Sequence, residues 1–324
     1  MRRTSGVLVW LFTLLSLASA AMAQPVQRQR VQSNDPVDIY RNGKHAGELA
    51  YYLMAPAGPP RGVLLLLPGL ACPAEGVFKE TALAQEAARS GFVVAVPTLN
   101  NRLYLDSAGT RLLGQVLNRV AQQYPTAGRN LCLGGFSAGG QLALAYAEQL
   151  VRDSVRQTWR VKAVFGVDPP ADLANLWQRG QRDIDRNCSA LLVRGGQSTL
   201  KTLGDAFGGS PEQVPAVYQQ YSAFINTSPT GGNLSQLAAT PVRVYCEPDM
   251  AYWRWHLCAT MQLEDLNAVT LRQLVDCLQR QGNTRAEYIE TTGKGKLKGR
   301  QFPHSWSIVD APECVQWLQT CLSR

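Results

Sequence analysis

The residues best suited to chemistry in this sequence lie in the run Gly135-Phe136-Ser137-Ala138-Gly139-Gly140. An apolar segment, Leu131-Cys132-Leu133, precedes the run, and a helical pattern begins at Gln141. A serine at such a strand-to-helix turn forms a nucleophile elbow, in which small flanking residues permit a turn tight enough to expose Oγ. The following helix N-terminus supplies a backbone N–H, that of Ala138, and a positive dipole end for an oxyanion. Ser137 is therefore predicted to be a catalytic nucleophile.

The string Gly-Phe-Ser-Ala-Gly-Gly-Gln-Leu-Ala resembles the elbow of the α/β-hydrolase superfamily, particularly its carboxylesterase and bacterial feruloyl-esterase-like members. The segment from Gly208 to Tyr218 also resembles one that those esterases carry just after the cap, and the superfamily resemblance covers most of Gly62 to Arg324. It implies an α/β-hydrolase fold: a mostly parallel central sheet, helices on both faces and a small helical cap. It also implies a triad in the chain order serine, acid, histidine.

The chain order that the resemblance implies places the general base at a histidine that follows the nucleophile. Only His256 and His304 follow Ser137. His304 lies in Phe302-Pro303-His304-Ser305-Trp306, after the last predicted strand and before the last helix, where the superfamily places its base. We therefore predict that His304 is the base and keep His256 as the alternative.

Three carboxylates compete for the acid position. In Tyr245-Cys246-Glu247-Pro248-Asp249 a strand ends and a loop begins, which resembles the superfamily's strand-end carboxylate. Asp249 is predicted to be the acid because a loop beyond the strand can turn it towards the imidazole. Glu247 and Asp168 are the alternatives. Asp168 follows the strand after the nucleophile helix, a position that a minority of lipases use.

A second oxyanion donor is expected from the loop Leu67-Pro68-Gly69-Leu70-Ala71-Cys72. By comparison with the superfamily's His-Gly-x loop, the Leu70 N–H is the expected donor, and that of Ala71 is the next choice. Pro68 stands where the esterase branch usually has histidine, and only one glycine is present. With both donors in place, Ser137 would attack an acyl carbon and water would release the acyl-enzyme, without a cofactor.

Two weaker features concern the substrate. Four cations precede His304, among them Lys294 and Lys296; they could attract an anionic substrate or simply form a solvated loop. Trp253 follows Asp249 with two other aromatic residues and could line a substrate pocket, although such spacing is also typical of packing. No aromatic residues alternate with the cations as a nucleic-acid surface would require, so we expect a small-molecule ester as the partner.

The elements that must position these residues follow from the hydrophobic pattern. Residues 37–55 alternate around Asn42-Gly43 and predict a β-hairpin. Apolar runs then alternate with helical patterns, with strands predicted at 62–67, 92–97, 130–136, 161–167, 241–246 and 285–291 and helices at 75–90, 107–123, 138–151, 263–281 and 312–322. Runs that are apolar on both faces are typical of a parallel sheet between two helical layers. The fold class is therefore α/β, interrupted after Asp168-Pro169-Pro170.

Four parts are expected along the 324 residues. Residues 1–23 resemble a secretory signal, since Arg2 and Arg3 precede the apolar run Val7 to Leu17 and Ala21-Met22-Ala23 forms a cleavage site. Residues 24–170 form the first part of the core, 171–236 an inserted cap and 237–324 the second part. The run is too short to span a membrane. We expect export to the periplasm or the medium, without a stable membrane anchor.

Composition supports a packed enzyme, since 45% of residues are hydrophobic and 17% are charged, which excludes a disordered chain. All eight cysteines lie in the exported part and are expected to form disulfides rather than a metal site, although the sequence leaves their pairing open. The sequence thus predicts an exported serine hydrolase acting on carboxylic esters. A serine peptidase or acyltransferase on the same fold, and a non-catalytic binding protein, are the alternatives.

Overall fold

The computed structural model describes residues 24–33, 40–41, 44–45 and 49–323. The predicted signal segment, 1–23, and the Asn42-Gly43 turn lie outside the described residues. The strands are β1 (Gln27–Arg30), β2 (Tyr40–Arg41), β3 (Lys44–His45), β4 (Ala50–Met54), β5 (Gly62–Leu67), β6 (Phe92–Pro97), β7 (Asn130–Phe136), β8 (Arg160–Val167), β9 (Val242–Cys246), β10 (Ala286–Glu290), β11 (Lys296–Leu297) and β12 (Arg300–Gln301). The α-helices are α1 (Val77–Glu80), α2 (Leu83–Arg89), α3 (Ser107–Gln123), α4 (Ala138–Arg152), α5 (Leu173–Arg186), α6 (Ala190–Phe207), α7 (Pro215–Tyr221), α8 (Met250–His256), α9 (Asn267–Arg280) and α10 (Ala311–Leu322).

Eight strands form the central sheet in the order β1-β4-β6-β5-β7-β8-β9-β10. β1 pairs antiparallel with β4 and β4 antiparallel with β6, whereas all neighbours from β6 to β10 pair in parallel. The predicted parallel sheet is thus confirmed. Within the predicted hairpin over residues 37–55, the described residues show β2 paired with β3, whereas β4 pairs with β6 in the central sheet.

The sheet is buried on both faces because its strands are apolar at consecutive positions. In β5, Val63, Leu65 and Leu67 belong to one core cluster, and Leu64 and Leu66 belong to the other. Helices α3, α4 and α9 cover the first cluster, and α1, α2 and α10 cover the second. A strand buried between two helical layers is the arrangement that the continuous apolar runs predict.

Two helices differ from their predicted bounds for local reasons. The helix expected over residues 75–90 is interrupted at Thr81, whose backbone is extended and whose Oγ1 accepts a hydrogen bond from Leu83 N at 3.2 Å. Such a side-chain bond competes with helix continuation. The helix expected over 263–281 starts at Asn267, because a capping box between Gln262 and Asp265 forms a separate 3₁₀ turn before it.

Residues 171–236, the predicted cap, contain α5, α6, α7 and all but the last residue of a 3₁₀ helix, Gly232–Leu237. Asp172 caps α5 by accepting hydrogen bonds from Ala174 N and Asn175 N, both at 3.0 Å. The Cys188–Cys258 disulfide joins the α5–α6 connection to the end of α8. The other six cysteines form no disulfide, so one bridge meets the broader expectation of disulfides. In the described part of the chain, no helix is both long and apolar enough to cross a membrane.

Candidate active site

Ser137 occupies a strained turn between β7 and α4. Its φ of 51° and ψ of −123° lie outside the regions that L-residues favour. The strained backbone is held by hydrogen bonds from Ser137 N to Val167 O at 2.8 Å and from Gly140 N to Ser137 O at 2.9 Å. Strain of this kind costs about 1–3 kcal/mol and persists where the surrounding structure fixes it. The elbow geometry predicted from the sequence is therefore present.

The glycines around Ser137 are required by close backbone contacts. A Cβ on Gly135 would lie 2.2 Å from Gly139 O, and a Cβ on Gly139 would lie 2.2 Å from Leu67 O. Neither neighbour can move, because both belong to the backbone of the sheet or of the elbow helix. Small residues at these positions therefore allow α4 to start directly above the ends of β5 and β7.

His304 pairs with Asp168. Its Nδ1 lies 2.5 Å from Asp168 Oδ2. Asp168 immediately follows β8, and His304 precedes the 3₁₀ helix Trp306–Ile308, so the two come from distant parts of the chain. With Nδ1 on the carboxylate, the other ring nitrogen is free to act as a base.

The carboxylate of Asp168 is held by several donors. Asn267 Nδ2 donates to Asp168 Oδ1 at 3.1 Å and to its carbonyl at 2.9 Å, and Cys246 Sγ donates to Oδ1 at 3.3 Å. Burial by itself would raise the pKa of Asp168, but the charge of His304 and these hydrogen bonds outweigh burial and lower it. Asp168 is therefore an ionised, oriented partner for the imidazole. The sequence analysis did not identify Asn267 or Cys246, which carry no motif of their own.

The prediction that Asp249 contacts His304 is wrong in this structure. Asp249 Oδ1 accepts a hydrogen bond from Tyr252 N at 2.9 Å and so caps α8, and its Oδ2 accepts one from Gln301 Nε2 at 2.7 Å. A residue that caps a helix directs its side chain at that helix's own amides. The alternative acid of the sequence analysis, Asp168, takes the position.

The carboxylate of Glu247, the other alternative acid, is also occupied by hydrogen bonds away from His304. It is buried and accepts hydrogen bonds from Thr291 Oγ1, Lys294 N and Gly295 N at 2.9–3.1 Å. These bonds anchor the start of the β11–β12 hairpin, which carries Lys296. Of the two expected substrate cations, Lys296 therefore lies on this hairpin and Lys294 just before it, in a segment that Glu247 and Asp249 hold in place before His304.

The other candidate base, His256, lies at the exposed end of α8. Its ring stacks on Tyr252 with the ring centroids 4.1 Å apart, and its Nδ1 lies 3.0 Å from Tyr252 O. It has no carboxylate partner among the described residues. Of the two histidines, only His304 has the environment of a triad base.

The expected oxyanion donors flank the elbow. Ala138 is the first residue of α4. Gly69, next to Leu70, packs closely against Phe136, since a Cβ on Gly69 would lie 2.9 Å from the Phe136 ring. The backbone N–H groups of Leu70 and Ala138 donate no hydrogen bond to any described residue. That of Ala71, the second choice, donates to Asn101 Oδ1 at 3.1 Å. The two expected donors are thus available, and the alternative is engaged.

The residue that precedes the serine, Phe136, contacts the His304 ring. The Phe136 ring lies 4.7 Å from the His304 ring, centroid to centroid. Within the described residues Ser137 Oγ makes no hydrogen bond, and it is partly exposed. Catalytic hydrogen bonds are often long in an empty site and tighten when substrate binds.

A cavity of about 270 Å³ reaches the His304–Asp168 pair. Helices α5 and α6 and the segment 253–267 form its walls, and Trp253, the expected substrate aromatic, is part of them. Among the described residues, no group of three or more His, Cys, Asp or Glu side chains could hold a metal ion. The arrangement can thus supply a nucleophile, a base with its carboxylate, and amides for an oxyanion.

No family model and no curated protein matches the sequence. Solved structures do match. A hyperthermophilic esterase from the archaeon Pyrobaculum calidifontis is 16% identical, with a TM-score of 0.53 over 92% of this chain and 83% of the esterase. Brefeldin A esterase, a bacterial homologue of human hormone-sensitive lipase, is 12% identical with a TM-score of 0.56 over 96% and 81%. An S-formylglutathione hydrolase from Agrobacterium tumefaciens is 13% identical with a TM-score of 0.51 over 95% and 96%. Together with the sheet order, these similarities show that the chain has the α/β-hydrolase fold.

Proposed function

We propose that this chain is a serine hydrolase that cleaves carboxylic esters through Ser137, His304 and Asp168. The observation that carries the proposal is the 2.5 Å contact between His304 and Asp168 beside a serine held at φ 51°. The esterase titles of the similar structures agree with it. A non-catalytic binding protein would have no use for a strained serine beside an oriented imidazole.

The reaction follows from the positions of these groups. His304 takes the proton of Ser137 Oγ through its free ring nitrogen as Oγ bonds to the acyl carbon, and the N–H groups of Ala138 and Leu70 stabilise the oxyanion. The C–O bond to the alcohol then breaks, and His304 returns the proton to the leaving oxygen. Water repeats the sequence on the acyl-enzyme and releases the acid.

We also infer export. The basic and apolar pattern of residues 1–23 supports it, and so does the Cys188–Cys258 disulfide, because disulfides persist in oxidising compartments.

Fluorophosphonate labelling and ester hydrolysis by the purified protein test the enzymatic proposal. We expect the wild type to be labelled and the variants Ser137→Ala and His304→Ala to lose on the order of 10⁶ in kcat, with the double variant no worse than either single one. A matched control is His256→Ala, which should keep its activity because His256 lies at the exposed end of α8.

Equal labelling of wild type and Ser137→Ala would disprove the assignment of the nucleophile. Comparing p-nitrophenyl esters with aminoacyl amides separates an esterase from a peptidase, and a clear preference for amides would contradict the esterase proposal.

A further inference from the structure

The cavity beside His304 has a defined size and position. Its volume of about 270 Å³ exceeds the ~150 Å³ of a cavity that holds a benzene molecule. Apolar side chains such as Leu176, Leu192 and Leu266 form much of its wall, and Gly195 faces open space. The cavity can therefore hold a substituted ring or a branched chain of similar bulk.

The cavity lies on the histidine side of the site. Its described lining includes His304 and Asp168 but not Ser137, Leu70 or Ala138. Ala138 instead belongs to a buried cluster with Leu203 and Phe207 of the cap, so cap side chains fill space on that side. Because the imidazole must deliver a proton to the departing oxygen, the leaving alcohol lies next to it. The position of the cavity thus suits the alcohol part of the ester.

Arg179 of α5 is a cation in the cavity wall without an ion-pair partner. Its Nη1 donates to Asn267 Oδ1 at 2.8 Å and to Asp265 O at 3.3 Å. Among the described residues, no carboxylate oxygen lies within the 4.0 Å of a salt bridge, and Nε and Nη2 have no acceptor. Burial lowers the pKa of Arg179, although the charges of Asp168, Asp183 and Asp265 partly oppose this effect.

The carboxylates around the cavity are mostly satisfied by other groups. Asp265 pairs with Arg186 at 2.8 Å and Arg182 at 3.3 Å, while Asp168 pairs with His304. Asp183, the remaining aspartate in the wall, has its Oδ1 3.9 Å from Arg186 Nη1, and burial raises its pKa. Nε and Nη2 of Arg179 are therefore guanidinium donors in the cavity wall that have no acceptor among the described residues.

On the basis of the proposed esterase activity, we propose that this cavity binds a leaving alcohol that carries a carboxylate, held by Arg179. The guanidinium offers Nε and Nη2 as a planar fork, which matches the two oxygens of a carboxylate. Lys294 and Lys296 precede His304 in the chain and, although they do not line the cavity, would add positive charge that attracts the same anion.

The test compares acetate esters of two alcohols, 4-(hydroxymethyl)benzoate and the neutral 4-(hydroxymethyl)benzamide. The wild type should favour the carboxylate, and Arg179→Met should lower that preference about 10- to 100-fold, the range for a hydrogen bond to a charged group. Arg179→Lys should retain part of it. The readout is the ratio of the rates on the two esters. Arg179 contacts Asn267, which holds Asp168, and any general loss of activity through these contacts cancels in the ratio.

A second pair of substrates places the carboxylate on the acyl side. These are 4-nitrophenyl hydrogen glutarate, which carries the carboxylate, and the 4-nitrophenyl ester of glutaric monoamide, which is neutral. Arg179→Met should leave this ratio unchanged. A change here without a change in the alcohol pair would overturn the assignment to the leaving group. If neither ratio changes while Ser137 is still labelled by fluorophosphonate, the role of Arg179 is disproved and the proposed enzyme stands.

Cavity size gives an independent test. Gly195→Leu adds a side chain where no atom lies within 4 Å of the new Cβ. It should lower kcat/KM for the benzyl-type acetate relative to methyl acetate by about 10-fold. The matched control is Gly114→Leu, on α3 and outside the cavity, which should leave this ratio as in the wild type. An unchanged ratio in Gly195→Leu would show that the alcohol binds elsewhere.

Discussion

At the scale of single residues, Asp168 combines strain with complete hydrogen bonding. Its φ of 48° is unusual for a residue with a Cβ, and its N–H donates to Tyr245 O at 2.8 Å. Its carbonyl and both carboxylate oxygens accept hydrogen bonds from Asn267, Cys246 and His304. The strain of about 1–3 kcal/mol is thus offset by contacts that leave the carboxylate a single orientation.

Asp168→Asn should lower kcat by on the order of 10⁴, because an amide can donate to Nδ1 and so stabilise the wrong imidazole tautomer. The matched control is Asp249→Asn, which keeps a good N-cap on α8 and should remain within about threefold of the wild type. Kinetics on one ester measure both. The opposite ranking would return Asp249 to the triad.

Glu148 on α4 gives a pH-dependent prediction for stability. The residue is 2% exposed and its Oε1 has no hydrogen-bond partner. Burial raises its pKa well above the usual value, although Arg152 partly opposes this. The unfolded chain therefore loses the proton first as pH rises, so folding becomes less favourable between the usual pKa and the raised one.

Relative to Glu148→Gln, the wild type should lose about 1.4 kcal/mol of unfolding free energy per pH unit within that interval. Urea unfolding of both proteins from pH 4 to 8 measures the difference. A difference that does not change with pH would show that Glu148 is ionised in the folded protein.

At the scale of elements, the elbow is a junction of three backbones: the end of β5, the end of β7 and the start of α4. The close approach of Gly139 to Leu67 O, and of Gly135 to Gly139 O, joins them without side chains between. The loop that provides the Leu70 amide is thereby held against the serine turn. The geometry of the proposed oxyanion site thus depends on glycine positions as much as on the serine.

Gly139→Ala and Gly114→Ala should have opposite effects on stability. The new Cβ of Gly139→Ala overlaps Leu67 O, so the variant should lose about 1–3 kcal/mol or more of unfolding free energy. In Gly114→Ala, on α3, the nearest atom is 4.0 Å away, so the gain in helix propensity should stabilise the protein by about 1 kcal/mol. Denaturant unfolding tests both, and a stable, active Gly139→Ala would contradict the close approach.

The elements were largely predictable because buried strands and amphipathic helices leave strong patterns, and α3 has the predicted bounds 107–123. The carboxylate that contacts His304, Asp168, was not the one predicted. β8 and β9 are parallel neighbours, with Val167 opposite Tyr245, so Asp168 and the Glu247–Asp249 loop both emerge at the same sheet edge. Which carboxylate meets His304 depends on side-chain direction and capping, and neither is encoded in spacing.

At the scale of the whole molecule, the Cys188–Cys258 disulfide connects the cap to the second half of the core. Its two cysteines lie 70 residues apart in the sequence, so the bridge closes a long loop. The joined segments, α5, α6 and the region around α8, are those that enclose the cavity beside His304. The bridge thus holds together the walls of the proposed substrate site.

Removing this bridge should cost about 4 kcal/mol of stability, the chain-entropy value for a loop of that length. Cys188→Ser should therefore show a lower Tm than the wild type, and a reducing agent should lower the Tm of the wild type but not of the variant. Cys72→Ser, which removes a partly exposed free thiol, is the matched control and should keep its response to reductant. Alkylation of the native, exported protein followed by mass spectrometry should find Cys188 and Cys258 blocked and the other six cysteines as thiols. Free Cys188 in protein collected after export would contradict both the bridge and the oxidising compartment that we infer from it.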